Sequence, residues 1–400
     1  MPEFGLQFFG EHILKNLFEH FENQLVRGGL VKPGQPLMGF LDADLLWNQE
    51  SPDCEVLEKI FDAISINSIL FSQPSEPYKT IIEYLAATSG GIIYPEDCET
   101  RTFLHDLPVA DGFKPEQIIP ALKQRKSVII PGKGIVTYGS VSLEQAFVTF
   151  SSVCFASFVK FFSDYLVEVR NKTVSKEMQA AYNIVNRYLP EDQTFDNDLM
   201  TGPLDTEEKI HIAMDEAGKR TITHQLVDSY FGNISFRKEE TLYISQTGSS
   251  LDQLPGFIDP CLLDGTSCSS ITASSELVAH VEIVKRTGHN AILHGHPKFC
   301  VILSMDCPKH DCKNRGECHL KCSTERDVCN IPVVPGEVGT GTYGLCNTVP
   351  PAIMDRPGVI VYGHGLFTTA ENDFNIAFRH LLGIENECRK EYFRRVADCL

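Results

Sequence analysis

The hydrophobic positions at the start of the chain predict a helix followed by alternating strands and helices. Over residues 7–30 apolar side chains recur at about the helical period, and Gly28-Gly29 ends the pattern. Residues 37–47 are largely apolar and are predicted to be extended. Residues 55–66 are predicted to form a second helix, and the apolar run at 67–71 is predicted to form a strand.

The pattern of the first half of the sequence returns in the second half. Asn67-Ser68-Ile69-Leu70 matches Asn290-Ala291-Ile292-Leu293, and a proline follows at the same distance in both places. Three further matches occur in the same order: Leu107-Pro108-Val109 with Ile331-Pro332-Val333, residues 127–136 with 358–367, and Gln145-Ala146-Phe147 with Ile376-Ala377-Phe378. Four ordered matches indicate two copies of one fold, each with helix, strand, connecting segment, strand and helix.

The repeat defines the predicted domains. The first copy covers residues 7–165, and the second covers 209–395 and includes a cysteine-rich segment at 307–329. Residues 166–208 are predicted to form a charged, partly helical connector, with breaks around Pro190-Glu191-Asp192 and Gly202-Pro203.

The composition is that of an ordinary globular protein, with 42% apolar and 22% charged residues in a chain of 400. The net charge of -18 argues against nucleic acid or an anionic membrane as a partner, although a local pocket can still bind a small anion. The sequence has no apolar run of membrane-spanning length and no signal-peptide pattern at its start, so we expect a cytoplasmic protein without a transmembrane helix.

Histidines follow two of the apolar strands in the second copy. His294 and His296 are spaced so that both side chains point to one face of an extended strand. His364 lies between glycines on a second apolar strand, and Glu276 lies upstream. Three histidines and one glutamate fit a divalent transition metal with a position left open for substrate.

The first copy lacks these side chains. Phe71, Gln73 and Lys133 stand at the positions that correspond to the three histidines. The first copy is therefore predicted to keep the scaffold without metal ligands. Since other residue types occupy the corresponding positions of the first copy, the fold itself does not require histidines there. The histidines of the second copy therefore indicate a function other than filling strand positions.

Five of the 14 cysteines fall in the segment 307–329, and they are Cys307, Cys312, Cys318, Cys322 and Cys329. In a reducing compartment such a cluster favours metal or redox chemistry over disulfides. The spacing lacks the paired C-x2-C of a zinc ribbon. A second zinc, an iron–sulfur centre and a loop with free thiols all remain open.

The motifs of the second copy occur in a diagnostic order. Gly-Asn-x-Ser, Ile-x-x-Thr-Gly, Ser-Ser-Glu at a helix start, His-x-His-Pro and Gly-His-Gly-Leu-Phe follow one another over residues 209–395. This order resembles the class II aldolase/adducin family. The resemblance implies a three-layer α/β/α fold, here in two tandem copies of which the first is degenerate.

The resemblance also implies roles for the motif residues. His294, His296 and His364 would hold a divalent metal, most often zinc, with manganese, iron and cobalt as alternatives. Glu276 would act as the acid/base. The substrate phosphate would be held by Asn233, Thr247, Gly248, Ser274 and Ser275, although caps and turns are the plainer explanation of each motif alone. Tyr343 and Tyr362 are candidates for an assisting tyrosine only through their positions in the sequence.

The function that follows is a metal-dependent, aldolase-type lyase. It would cleave or form a carbon–carbon bond in a small sugar phosphate, polyol or hydroxy acid through a metal-stabilised enediolate. The alternatives are a family epimerase or dehydratase, a non-catalytic adducin-like assembly protein, and a redox or metal sensor built on the cysteines. Family enzymes are usually tetramers, so two fused copies predict a homodimer that forms a pseudo-tetramer.

Overall fold

The computed structural model describes residues 3–190, 192–195, 198–228, 230–309, 311–322 and 324–399, and it describes side chains from residue 14 onward. The side chains of the first predicted helix up to residue 13, and Glu191 in the predicted connector, therefore lie outside the described residues.

The chain divides into two compact units. The first comprises Met1–Glu96, Thr100–Phe161 and Val174–Leu189; the second comprises Asp97–Glu99, Phe162–Thr173 and Pro190–Leu400. This division differs from the predicted boundaries. The predicted end of the first copy at residue 165 falls within a helix that continues to Asn171, and the residues of the predicted connector are divided between the two units.

The first unit contains seven described strands: β1 (Leu37–Leu41), β2 (Leu45–Trp47), β3 (Ser68–Ser72), β4 (Ile92–Ile93), β5 (Leu107–Pro108), β6 (Ser127–Ile130) and β7 (Gly134–Gly139). Five of them form an antiparallel sheet in the order β2-β1-β3-β7-β6, and β4 pairs with β5. The extended segment predicted at 37–47 is a hairpin, and the predicted strand at 67–71 is β3.

The second unit contains eight described strands: β8 (Asn233–Lys238), β9 (Thr241–Ser245), β10 (Ile258–Leu262), β11 (Ala291–Gly295), β12 (Asp327–Val328), β13 (Ile331–Val334), β14 (Gly358–Val361) and β15 (Gly365–Ala370). They form one sheet in the order β10-β9-β8-β11-β15-β14-β13-β12. Within it β13 and β14 are parallel and the other described neighbours are antiparallel.

The described α-helices are α1 (Glu3–Arg27), α2 (Cys54–Ala63), α3 (Tyr78–Thr88), α4 (Cys98–Leu104), α5 (Pro115–Gln124), α6 (Leu143–Asn171), α7 (Lys176–Val185), α8 (Glu207–Thr223), α9 (Leu277–Thr287), α10 (Lys298–Met305), α11 (Leu345–Ile353) and α12 (Phe374–Cys399). The predicted first helix is α1 and the predicted helix at 55–66 is α2. Short 3-10 turns occur at Asn186–Tyr188 and Cys268–Ile271.

The two sheets share one strand order and one register. The order β2-β1-β3-β7-β6 in the first unit corresponds to β9-β8-β11-β15-β14 in the second. Phe71 pairs with Val136 at the position where His294 pairs with Phe367. The internal repeat predicted from sequence is therefore visible strand by strand.

The helix packing against the sheets repeats as well. The Thr137 hydroxyl of β7 donates to the carbonyl of Ala146 at 2.8 Å, and the Thr368 hydroxyl of β15 donates to the carbonyl of Ala377 at 2.9 Å. On the other face of each sheet, apolar side chains pack against a helix pair, α2 with α5 in the first unit and α9 with α11 in the second. The result is three layers, α/β/α, in each unit.

Helix α6 is the one described helix that is long and apolar enough to cross a membrane. Its most apolar window is 83% buried within the protein, and the core helices of folded domains pass the same test of length and composition.

Candidate metal centre

Strand β11 brings His294 and His296 to one buried point. The two side chains are 1% and 2% exposed, and their Nε2 atoms lie 3.1 Å apart. The His294 ring stacks on Phe367, its partner across the sheet, at a centroid distance of 3.9 Å. Nδ1 of His294 lies 3.2 Å from the carbonyl of Leu366, which favours a proton on Nδ1 and leaves the Nε2 lone pair for a ligand.

The tight turn between β14 and β15 brings His364 to the same point. Gly363 has φ +60°, a backbone conformation that glycine adopts without strain, and the amide of His364 donates to the carbonyl of Val361. The ring centre of His364 lies 5.2 Å from that of His294 and 5.0 Å from that of His296. One ring nitrogen from each histidine lies within 4.8 Å of the other two.

Gly365 is needed for this packing. A Cβ at this position would lie 2.4 Å from the carbonyl oxygen of Gly295, 2.8 Å from Cε1 of His294 and 2.9 Å from Cδ2 of His296. Only a hydrogen atom fits there, so the glycine after His364 permits the close approach of the imidazole rings.

Glu276 lies beside the three histidines, immediately before the first turn of α9. It is 5% exposed, and its two carboxylate oxygens lie 3.5 Å from Nε2 of His294 and 3.3 Å from Nε2 of His364. The backbone amide of Glu276 donates to the Ser274 hydroxyl at 3.3 Å. The helix start predicted at Ser274-Ser275-Glu276 thus positions the carboxylate.

A buried hydrogen-bond chain holds the Glu276 carboxylate from behind. The side-chain amide of Asn233 donates to Glu276 at 2.7 Å, and its carbonyl oxygen lies 2.5 Å from Nε2 of His280. Nδ1 of His280 lies 2.7 Å from the Ser235 hydroxyl. Sequence reasoning missed His280, although its position one helical turn after Glu276 was an available signal.

The buried histidines differ in the direction in which their pKa values are shifted. Burial lowers the pKa of His294 to about 4, against the opposing effect of Glu276, and burial also lowers the pKa of His296. Burial alone would lower the pKa of His364, but Glu276, Glu99 and Asp97 outweigh it and raise the pKa to about 9. Burial opposes ionisation of Glu276, yet His294 and His364 hold the pKa of this carboxyl far below its usual range.

The donor set fits a divalent metal ion. Neutral imidazoles and an ionised carboxylate are the ligand forms that such ions require. The ion would take the place of the proton that His364 and Glu276 otherwise share. Here His294, His296 and His364 are the residues that would hold it, with Glu276 alongside.

The comparison with known families agrees with this geometry. Residues 213–392 match the family described as Class II Aldolase and Adducin N-terminal domain. This part of the chain is therefore similar to the class II aldolases and adducins.

One relative of the aldolase-family domain is an enzyme named for a sugar phosphate. The chain is 34% identical over 94 residues to an L-fuculose phosphate aldolase from Methanococcus vannielii, an alignment that covers 21% of this chain and 50% of that protein. The chain therefore spans about half the length of this relative.

Solved structures of the same family resemble half of the chain. The L-fuculose-1-phosphate aldolase from Thermus thermophilus aligns over 48% of this chain and 98% of its own, with 21% identity and a TM-score of 0.39. The sugar-phosphate aldolase from Thermotoga maritima aligns over 46% and 93%, with 16% identity and a TM-score of 0.34.

Four of the five predicted phosphate residues lie on two adjacent segments. The Thr247 hydroxyl donates to the carbonyl of Ala273 at 2.9 Å, and the amide of Ser274 donates to the carbonyl of Ser245. Gly248 has φ +73° and open space around it, and Ser275 is exposed. The structure brings the Thr-Gly turn to the Ser-Ser segment, whereas Asn233 is engaged with Glu276 and His280. That these residues bind a phosphate stays a prediction.

Among the described residues, the sulfur atoms of the cysteine-rich segment do not converge on one point. All five cysteines, Cys307, Cys312, Cys318, Cys322 and Cys329, have free thiols, and no three of them bring their sulfur atoms within 4.8 Å of one another. The Cys329 thiol instead contacts Cys388, and this contact together with burial raises its pKa. That these cysteines hold a second zinc or an iron–sulfur centre stays one of the open alternatives, beside a loop with free thiols.

One further carboxylate reaches the metal centre. Glu99, at the start of α4, lies 3.7 Å from Nε2 of His364, and residues Asp97–Glu99 belong to the second compact unit. Sequence reasoning missed Glu99, because it lies far from the family motifs along the chain and no local pattern marks it.

Proposed function

We propose that the protein is a metal-dependent lyase of aldolase type that acts on a small sugar phosphate or a related polyol or hydroxy acid. The observation that carries the proposal is the convergence of three buried imidazoles beside the Glu276 carboxylate. Such a set is costly to bury without a cation to organise it. The named activities of the relatives support the same chemical class.

The residues of the site have separate roles in this proposal. His294, His296 and His364 would hold the ion, and a bound divalent ion would stabilise, as a Lewis acid, negative charge that develops on substrate oxygens. Glu276 is within reach of that position and would move a proton to or from the substrate carbon. The Asn233 amide fixes the direction of the carboxylate through its hydrogen bond.

The exposed residues Thr247, Gly248 and Ser275, together with the buried Ser274, would bind the anionic end of the substrate. The two segments are adjacent, and Ser274 also contacts the backbone of Glu276. Binding the anionic end of the substrate there would orient its reacting carbon toward the metal and Glu276. Zinc is the first candidate for the ion, and manganese, iron and cobalt use similar donors.

The decisive experiment combines metal analysis with a cleavage assay. Purified protein is assayed for metal per chain and for release of aldehyde and ketone products from phosphorylated and unphosphorylated ketoses. The variants are His294→Ala/His296→Ala and Glu276→Gln. Lys133→Ala, at the position in the first unit that corresponds to His364, is the matched control because its side chain is half exposed.

We expect about one divalent ion per chain, lost in the double histidine variant and kept in Lys133→Ala. We expect carbon–carbon cleavage to be lost in Glu276→Gln. If the protein binds metal but yields only epimerised or dehydrated products, the activity would be that of an epimerase or a dehydratase. Absence of metal after reconstitution would overturn the proposal and favour a non-catalytic assembly protein.

We also propose that the chain forms a homodimer. The support is the presence of two copies of one fold in a chain whose family members are usually tetramers. Light scattering at micromolar concentration tests this, and a mass of one chain would contradict it.

A further inference from the structure

The segment Asp97–Glu99 is fixed against the turn that carries His364. The backbone amide of Cys98 donates to the carbonyl of Gly363 at 2.6 Å, and the Cys98 thiol donates to the carbonyl of Tyr362 at 3.3 Å. A Cβ at Gly363 would lie 3.0 Å from the Cys98 sulfur and 3.2 Å from its nitrogen. The absence of a side chain at Gly363 therefore allows the segment Asp97–Glu99 to pack closely against this turn.

This contact places the Glu99 carboxylate near Nε2 of His364, the same imidazole nitrogen that Glu276 approaches. One carboxylate oxygen of Glu99 lies 3.7 Å from Nε2 of His364, and one of Glu276 lies 3.3 Å from it. The Glu99 side chain is 26% exposed and the Glu276 side chain 4%. Glu99 thus approaches His364 from a more exposed position, and Glu276 approaches it from a more buried one.

Buried acidic side chains collect near His364. Asp97 is buried and acts electrostatically on His364, as Glu276 and Glu99 do. Burying a carboxylate is costly unless a cation or hydrogen bonds compensate it. A divalent ion at the three histidines would favour the ionised form of Glu99 at this position.

We propose that Glu99 is a carboxylate of the metal centre, which helps to hold the divalent ion together with the three histidines and Glu276. The centre would then contain two glutamates from distant parts of the sequence. This inference rests on the proposed function only in requiring that the histidines bind a metal. It does not depend on which substrate is cleaved.

The test measures metal binding directly in the full-length protein. Dissociation constants for Zn²⁺ and Mn²⁺ are determined by competition with a chelator, and the visible absorption spectrum of the Co²⁺-loaded protein reports the ligand set. The variants are Glu99→Gln, Glu99→Asp and Glu276→Gln. Glu96→Gln is the control, because Glu96 is three residues away and pairs with Lys160 instead.

We expect Glu99→Gln to weaken metal binding by about tenfold or more, in the range found when groups that support a metal are removed. The Co²⁺ spectrum should change in intensity or position. Glu99→Asp should retain part of the affinity because it keeps the charge, and Glu96→Gln should match the wild type. A thermal melt of each metal-free variant identifies any that fail to fold, and Glu99→Asp then carries the comparison.

Two results would overturn the inference in different ways. If Glu99→Gln binds metal with the wild-type constants and spectrum while His294→Ala/His296→Ala does not bind it, Glu99 merely pairs with His364, and the proposed function stands. If the wild type binds no divalent ion, the proposed function fails and the inference fails with it.

Discussion

The Asn233 amide donates a 2.7 Å hydrogen bond to Glu276, and both side chains are buried. Asn233 can point its amide nitrogen at the carboxylate only if its carbonyl oxygen is satisfied on the other side. His280 does this at 2.5 Å, with its other nitrogen against the Ser235 hydroxyl. The orientation of the proposed acid/base therefore depends on a histidine that lies a full helical turn away.

His280→Ala should impair both the fold and the site. It leaves two buried polar partners unsatisfied, which costs about 1–3 kcal/mol each when uncompensated. We expect a lower melting temperature and a fall in kcat with little change in KM, because Glu276 loses its fixed direction. His280→Gln, which keeps a donor, should recover part of both. An unchanged kcat in a folded His280→Ala protein would show that Asn233 orients Glu276 without help.

Gly365→Ala should abolish metal binding. The added Cβ would lie 2.4 Å from a backbone oxygen and below 3 Å from both His294 and His296, so the rings cannot keep their positions. Metal per chain after reconstitution is the measurement. Gly383→Ala in α12 is the control, since its Cβ meets open space. Alanine there should stabilise the helix by up to about 1 kcal/mol. Full metal occupancy in Gly365→Ala would contradict the prediction.

The metal-free protein should lose stability as the pH rises from neutral to alkaline. The pKa of His364 is raised to about 9 in the folded state, from 6.5. Its contribution is therefore complete below about pH 6.5 and is lost as the pH rises through 9. Denaturant melts of the wild type and His364→Gln between pH 6 and 9.5 test this. The stability difference should shrink with increasing pH, and a constant difference would refute the assignment.

A variant with four cysteines replaced by serine should keep the metal content of the wild type. The replaced residues are Cys307, Cys312, Cys318 and Cys322. Their sulfurs do not converge, so the histidine centre should keep its ion and the protein should show no iron–sulfur absorption. Cys329 is kept, because its thiol contacts Cys388. Loss of one metal equivalent in this variant, with the histidine centre still occupied, would restore the second-site hypothesis.

The parts of the site that the sequence predicts are those encoded locally. The alternation that puts His294 and His296 on one strand face, and the serines before the helix at Glu276, are short-range patterns. The contacts of His280 and Glu99 depend on how distant segments pack, which single-sequence patterns do not contain. The domain boundary predicted at 165 differs from the observed division for a related reason, because α6 continues as one helix through the residues at which the two units divide.

The shared register of the two sheets makes the first unit a ready recipient for a grafted metal site. Phe71 already occupies the strand position of His294, and Gly134, in the position of Gly365, already lets the Ser72 backbone approach closely, as Gly365 does for the Gly295 backbone. The two units share a backbone frame and differ in the side chains at the ligand positions. A comparison of the two units within a single polypeptide can therefore separate what the fold requires from what metal chemistry would require.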